Sequence, residues 1–461
     1  SSLLGAQTNA ADLYQSLMEN AATSAKDLGL KYGSALTPAQ IANLTTDIVW
    51  MVEVFVDGQK VLAPVVYLSP VTVASIDKGA VIAADTVTLA VTDMLNMGGT
   101  LSGKDSLTIA SEGDITNVSG AIQGGNVSLT SAQGSITNET YAQTTGDVGN
   151  MTTTIGKTAT IGSTGNLSLD AKQDIINRGA QMSADGDASL NAGNNITFDT
   201  IEDKSSSRSS QVIRDGLAAG IETTTTSTTT QIKSGLTVGG NLAAKATNDI
   251  TFAGTDVAVG GDAAVDAGNN LNIVARENTS TTDTKSQMSG IGVGGGLYGT
   301  TETATNEFSS RNVGSTFSVG GNADLSAGQT LTVQGSNVDV GGDTSITATD
   351  VQVLAGKDVD TRTSTTKTTS FLQIEDVGDG KQSDSYANSD SGSESGTEKG
   401  SQASAGDGTA GASASASGSA GAQASAGAGA SYANSAGLTL AKTTTTTESS
   451  LSQRSVGSQL N

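Results

Sequence analysis

Apolar and polar residues alternate along this chain in short runs, and the runs return at a nearly constant interval. Gly240–Asn241–Leu242 comes back as Gly261–Asp262–Ala263, and Gly321–Asn322–Ala323 as Gly342–Asp343–Thr344, each 21 residues on. Ile175 and Ile196 are also 21 apart, as are Ile250 and Leu271, while Leu107 and Val127 are 20 apart. Period-two alternation marks strands with one buried face. A fixed repeat of this length marks a chain built from coils that cannot bury their apolar faces alone and must stack. The pattern predicts a mainly β chain, folded as a right-handed parallel β-helix. Candidate coils cover 79–99, 100–120, 121–140, and then about 159–200, 236–276 and 317–360. Roughly a dozen coils at about 4.8 Å each would give a rod of about 50–60 Å.

Three stretches break the repeat, near 201–235, 277–316 and 361–455. Each carries Thr-rich alternation, and Thr pairs well across strands. They are expected to project as extra-helical β-hairpins lying side by side in an additional sheet. The third has a tip, Glu375 to Ala436, made almost wholly of Ser, Gly, Ala, Asp, Gln and Asn. That composition cannot offset the entropy of ordering and reads as mobile.

The pattern differs before residue 71. Residues 1–35 have a helical distribution of Leu, Met and Tyr, and Thr37–Pro38–Ala39–Gln40 is a capping box opening a helix over 38–46. Ile48–Val56 and Val61–Leu68 flank Asp57–Gly58, the preferred hairpin turn pair, and Pro64 argues for an edge or a bulge. The expected organisation is a small N-terminal α/β module over 1–70, repeats with two insertions over 71–360, and a third hairpin with its tip over 361–461.

Composition narrows the function. Of 461 residues, only 3% are aromatic and 35% hydrophobic, with 58 Gly; a compact globule of this length would form roughly three domains. The three Pro all precede residue 71, so none interrupts the repeats. A formal net charge of −23 argues against nucleic acid and anionic lipid as partners, since both need basic patches. Cys and His are absent, which removes thiolate chemistry, His-based triads and ordinary zinc sites. No apolar run is long enough for a membrane-spanning helix. The chain starts with Ser and has no signal peptide, which reads as a piece of something longer.

Candidate chemistry is sparse. Glu202–Asp203 and Glu375–Asp376 are neighbouring carboxylates in loop-like surroundings and read as solvated surface. Gly-Asp turns invite comparison with calcium-binding β-rolls, but the period is wrong and Asn replaces Asp at 241 and 322. The simpler reading is that Asn and Asp tolerate left-handed turn geometry. Gly290–Gly296 lacks the Lys-Ser/Thr of a phosphate loop and reads as a hairpin tip. Sequons such as Asn195–Ile196–Thr197 arise by chance in so Thr-rich a chain. Trp50, Phe55 and Tyr67 form the densest aromatic group and are expected to close the rod end rather than bind a partner. No catalytic, cofactor-binding or metal-ligating residues are assigned, no cofactor or small-molecule substrate is implied, and the chain is not expected to be an enzyme.

The coils, the Thr-rich insertions and the module Leu36–Thr37–Pro38–Ala39–Gln40, Asp47–Ile48–Val49–Trp50–Met51–Val52 and Val61–Leu62–Ala63–Pro64–Val65–Val66–Tyr67–Leu68 together resemble the filamentous haemagglutinin family. The nearest likeness within it is to the large exoproteins of contact-dependent growth inhibition. The resemblance implies two-partner secretion by a Gram-negative bacterium through an outer-membrane β-barrel transporter, and a place on the cell surface. It also implies that such a segment follows a receptor-binding part, precedes a C-terminal toxin, and assists that toxin across a target cell's outer membrane, so that this membrane or its proteins are partners. The alternative is an adhesin stalk contacting host cells or matrix.

Overall fold

The computed structural model describes residues 10–56, 59–72, 79–374, 424–426 and 438–460. Nine rungs stack among these, each hydrogen-bonded to the next by parallel strands. Rung five is representative: Gln181–Ala184, Ala188–Ala192 and Ile196–Asp199 form its three sides. They pair in register with Thr160–Ser163, Leu167–Ala171 and Ile175–Arg178 of the rung below. In the first three rungs two sides are one long strand: Val81–Val91, Thr100–Ser111 and Ala121–Ser131. The third sides make a separate nine-stranded sheet. The chain is mainly β, and these parallel sheets are consistent with a β-helix. These nine rungs, over the described residues, are fewer than the dozen expected from the total length, and they match the nine coils that the candidate ranges themselves hold.

Inward positions hold Leu, Ile, Val and Ala in columns. Ile115, Ile136, Ile175, Ile196, Ile250 and Leu271 lie one above another, all fully buried. A parallel stack puts like beside like, so small apolar residues fill a narrow interior that aromatics would overfill. Only near the upper half does Phe enter, with Phe198, Phe252 and Phe317 ring centroids 5.4 and 5.5 Å apart in sequence.

Between rungs the chain does one of two things. At Gly98, Ser119, Gly179, Gly254 and Gly335 it turns directly into the next rung with φ between 48° and 64°. At the equivalent Thr140, Thr200, Ala275 and Ala355 it leaves as an antiparallel hairpin. Hairpin one joins Ala142–Thr145 to Asn150–Ile155, hairpin two Ile201–Asp215 to Ala218–Ile232, hairpin three Arg276–Gly290 to Tyr298–Val313, and hairpin four Gly356–Ile374 to Leu438–Val456. Hairpin one was not anticipated from sequence, being too short to disturb the repeat visibly. Of the Ser/Gly/Ala-rich tip, only Ala424–Ala426 is among the described residues, where it pairs with Thr445–Thr447; the reading of the rest as mobile lies outside them.

Near the N-terminus, α1 (Ala10–Asp27) is shorter than the pattern suggested, because Gly29 and Gly33 take φ of 60° and 82°. The shorter α2 (Pro38–Ala42) carries the capping box at Thr37. Strands β1 (Ile48–Val56) and β2 (Gln59–Tyr67) pair antiparallel with Pro64 opposite Met51 and no bulge. Their Asp57–Gly58 turn lies outside the described residues. Leu36, Leu44, Ile48, Val52, Ala21 and Tyr67 form a separate small core.

Candidate functional surface: a sheet of hydroxyl rows

From rung three on, every second rung emits a hairpin, and every hairpin supplies two strands. Two rungs rise about 9.6 Å, and two paired strands span about 9.6 Å. The hairpins can therefore lie side by side without strain, and they form one nine-stranded antiparallel sheet. Register runs across six strands, so residues form rows. One row is Ser209, Thr224, Thr284, Thr305 and Ser364; another is Ser205, Thr228, Ser280 and Ser309. Neighbouring hydroxyls bond along the rows: Thr305 with Ser364 at 3.0 Å, Ser205 with Thr228 at 2.8 Å, and Thr369 with Thr443 at 3.1 Å. Most of these side chains are only half-buried on either face. The surface is thus broad, hydroxylic and wet, with no apolar seam of its own.

Ion pairs stitch the base of this sheet. Arg276 donates from Nε and Nη2 to Asp199 at 2.8 and 2.5 Å, joining hairpin three to the end of rung five. Arg311 grips both oxygens of Asp360 at 2.7 and 3.0 Å, joining hairpins three and four. Such exposed pairs add little stability but hold register.

The residues singled out from sequence take structural places. Glu202 and Asp203 are consecutive in a strand and so point to opposite faces. Lys204 lies 2.6 Å from Glu202, and its hydrogen bond holds that carboxyl below the usual range. Glu375–Asp376 lies outside the described residues. Gly290–Gly296 forms the turn of hairpin three, with φ of 86°, 68° and 79° at Gly292, Gly294 and Gly295. Asn195 of the sequon donates from Nδ2 to Asp174 at 3.1 Å, and its Oδ1 accepts from the Asp249 amide at 3.1 Å.

The turn Asn and Asp residues require a correction. None of them has positive φ among the described residues. Each side chain instead accepts from the backbone amide of its counterpart one rung on. Asn166 Oδ1 accepts from Asp187 N at 2.9 Å, Asp187 from Asn241 at 2.7 Å, Asn241 from Asp262 at 2.8 Å, Asp262 from Asn322 at 2.7 Å, and Asn322 from Asp343 at 2.8 Å. An acceptor oxygen is what this position needs, which both Asn and Asp supply. Among the described residues no three Asp or Glu side chains come together as a cation site.

Sequence reasoning missed a second ladder, wholly inside the stack. Asn96 Nδ2 donates to Asn117 Oδ1 at 2.8 Å, Asn117 to Asn138 at 2.7 Å, and Asn138 to Asn177 at 2.8 Å. The last three are fully buried. The recurring Ile-x-Asn at 115–117, 136–138 and 175–177 was the available signal. At the next two rungs this position becomes Phe198 and Phe252.

The aromatic group also departs from expectation. Tyr67 is buried within the N-terminal module, where its hydroxyl accepts from the Leu36 amide at 3.3 Å. Trp50 donates to Lys31 O at 3.3 Å and meets Tyr32 edge-on. The Phe55 side chain lies outside the described residues. These rings complete the module rather than close the stack, whose first rung leaves Val81 and Ile82 exposed. Asp47, at the start of the Asp-Ile-Val-Trp motif, ties the module together: it accepts from Ser69 N at 2.7 Å and Thr72 Oγ1 at 3.0 Å.

The module meets the hairpin sheet where Gln143 Nε2 donates to Val66 O. Beside this contact, burial and the nearby Asp47 charge push the Tyr141 phenol up to about 12 from 10.0. Its OH donates to Gln143 Oε1 at 2.6 Å. The folded pKa lies above the unfolded one, so the contact's contribution is complete below pH 10 and is lost as pH rises toward 12. Burial raises the Tyr67 phenol of the module as well, so titrating tyrosinate absorbance should reveal late-ionising phenols, coincident with release of the module. In Tyr141→Phe that late step should shrink by one phenol.

Among the described residues no helix is long and apolar enough to cross a membrane. The Hemagglutinin repeat family matches residues 78–214, 216–305 and 296–461. A tRNA nuclease CdiA of Escherichia coli (strain STEC_O31) is 29% identical over 294 residues, covering 58% of this chain and 9% of that protein. A deoxyribonuclease CdiA of Dickeya dadantii (strain 3937) is 41% identical over 203 residues, covering 37% and 6%. The protein adenylyltransferase and cysteine protease IbpA of Histophilus somni (strain 2336) is 39% identical over 104 residues, covering 22% and 2%. The chain spans less than a tenth of the length of these curated relatives, and the matches fall on repeats. No solved structure matches. Repeated rungs, side-chain ladders and sequence similarity agree: the chain belongs to the hemagglutinin repeat family and is homologous to the CdiA exoproteins of contact-dependent growth inhibition.

Proposed function

We propose that this chain is a non-enzymatic segment of a secreted, cell-surface filamentous exoprotein, and that it assists delivery of a toxin across a target bacterium's outer membrane. In this reading the rungs form a right-handed β-helical stalk, and the hairpins project from it as the working surface. Export runs through an outer-membrane β-barrel transporter, as the family likeness suggests. The observation that carries the reading is the hairpin sheet. Rungs without insertions close with a single left-handed residue, as at Gly179 and Gly254, so stacking does not require the hairpins. A large, regular, two-faced surface that the stack does not need has a use of its own.

The test uses the complete exoprotein in an inhibitor strain. Removing residues 79–460 should leave surface display and attachment to target cells intact while abolishing target inhibition. Continued inhibition would sink the reading. Loss of attachment with the rest would turn it into an adhesive stalk.

A further inference from the structure

One edge of the hairpin sheet is unpaired over half its length. Its outermost long strand is Ile201–Asp215 of hairpin two, and hairpin one pairs with that strand only at Ser206 and Ser207. Among the described residues no strand lies on the outer side of residues 209–215, while their inner side is in unbroken register with residues 218–224. Every second residue of such an edge turns its N–H and C=O outward, a template for a further strand. No Pro or bulge blunts it.

The edge also has a chemical signature. Alternation and register put Arg208, Val212, Arg214, Ile221 and Lys285 on one face. Val212 and Ile221 are register partners, 65% and 58% exposed. Arg208 donates from Nε to Thr225 Oγ1 at 3.1 Å, and neither it nor Arg214 has a carboxylate partner among the described residues. The carboxylate in the row of Arg208 is Asp283, two strands in, where it accepts from Asn306 Nδ2 at 2.7 Å.

We infer that residues 209–215 accept residues 384–390 of the same chain as a further antiparallel strand. The occupant lies in the tip of hairpin four, outside the described residues, and charge, register, composition and reach select it. Residues 375–407 carry eight carboxylates against two Lys, and only Asp384 and Asp390 are six apart, the interval of Arg208 and Arg214. Antiparallel pairing sets Asp384 opposite Arg214, Tyr386 opposite Val212, Asn388 opposite Ser210 and Asp390 opposite Arg208, all on one face. Opposite charges, and an aromatic beside β-branched residues, are favourable cross-strand pairs. A one-residue slip would turn both carboxylates to the face of Asp215 and Glu222. Residues 381–391 are also the longest stretch of the tip without Gly, and they hold no Pro.

The chain reaches this edge in the required direction. The row of Arg214 runs through Ala219, Ser289, Thr300 and Thr369, so Ile374 ends its strand five positions beyond that row. The further strand lies five strand spacings away, about 24 Å, and about 17 Å lower. Ten residues span at most about 33–36 Å, against a diagonal of about 29 Å. Ile201–Asp215 and Gly356–Ile374 both run toward the tips, so a chain leaving Ile374 enters the edge from the tip and descends antiparallel. A second copy's edge is the poorer occupant, because symmetric pairing along residues 208–214 sets Arg208 opposite Arg214. The pairing does not depend on the delivery reading.

The chain has no Cys, so introduced pairs report the register. Ser210→Cys with Asn388→Cys should form an intramolecular disulfide several-fold faster than Ser210→Cys with Ser401→Cys. Hydrogen exchange is a second readout, free of disulfide geometry, and decides where the two disagree. The amides of residues 209–215 should be protected, and should lose that protection when residues 381–391 are replaced by a Gly/Ser sequence of equal length. Arg208→Glu with Arg214→Glu should abolish both signals. Adding Asp384→Lys with Asp390→Lys should restore them, with circular dichroism unchanged throughout. Unprotected amides at 209–215 in the intact chain, or charge reversal without effect, would overturn the proposal. Disulfides between two chains, growing with protein concentration, would overturn it in favour of a second copy.

Discussion

Replacing Asn117 by leucine should melt the first rungs while the last ones hold. Leucine keeps the γ-branched shape of asparagine but is larger, so overpacking adds to the loss of hydrogen bonds at this buried site. Asn117 Nδ2 donates to Gly120 O at 3.0 Å, Asn138 Oδ1 at 2.7 Å and Thr160 O at 3.2 Å, and Oδ1 accepts from Asn96. The site is fully buried, so water cannot replace these partners. Each orphaned buried group costs about 1–3 kcal/mol, and a broken ladder strands several, for a total of about 3–5 kcal/mol. Stability in a stacked repeat is a sum of neighbour terms, so the damage should stay local. Hydrogen exchange should show lost protection in rungs one to four and little change in rungs six to nine.

Asn117→Asp sharpens the test. An ionised carboxylate there would face three acceptors, so its folded pKa must rise above the unfolded value of about 3.9. Its neutral form can donate once. The variant should therefore be most stable below pH 4 and lose stability as pH rises through its folded pKa. A pH-independent deficit, or none, would mean the ladder does not hold these rungs.

Excising hairpin two should leave the stack intact and abolish target inhibition. Gln181 pairs with Gly235, so the direct turn Arg178–Gly179–Ala180–Gln181 is the template for Asp199, Thr200→Gly, Ser234 and Gly235. Residues 201–233 drop out. The rungs keep every parallel pairing, so the thermal midpoint should move only slightly. The sheet, by contrast, loses the two strands that connect Asn150–Ile155 to Arg276–Gly290. The gap of about 10 Å equals two strands and cannot be bridged by one pair. Strand content by circular dichroism, exchange protection of the rungs, and inhibition of target cells in the complete exoprotein check the three parts. Full inhibition with the sheet divided would show that sheet continuity is not what delivery uses. Melting of the rungs would show instead that the hairpins support the stack.

Local chemistry carried much of the architecture. Alternation in Leu167–Ser168–Leu169 or Ile250–Thr251–Phe252 specifies a strand with one buried face, whatever its partner. The 21-residue return of Gly-Asn and Gly-Asp specifies like strands at like positions, which only parallel stacking can satisfy together. The capping box at Thr37 likewise needs only its own four residues.

What the sequence alone determined is therefore the unit: a rung of short strands, apolar inward, with Asn or Asp at its turn. What the tertiary structure decided is which units meet. Asn96 and Asn117 are 21 residues apart, but Asn138 reaches Asn177 across 39, because hairpin one intervenes. Asp187 reaches Asn241 across 54, past hairpin two, and Asp262 reaches Asn322 across 60, past hairpin three. A hydrogen bond requires a distance of about 3 Å and is indifferent to the length of chain between its partners. Sequence spacing reports chain length and not distance. The ladders, the Phe stack and the turn Asx role thus became visible only when the insertions were folded out and the rungs laid one on another.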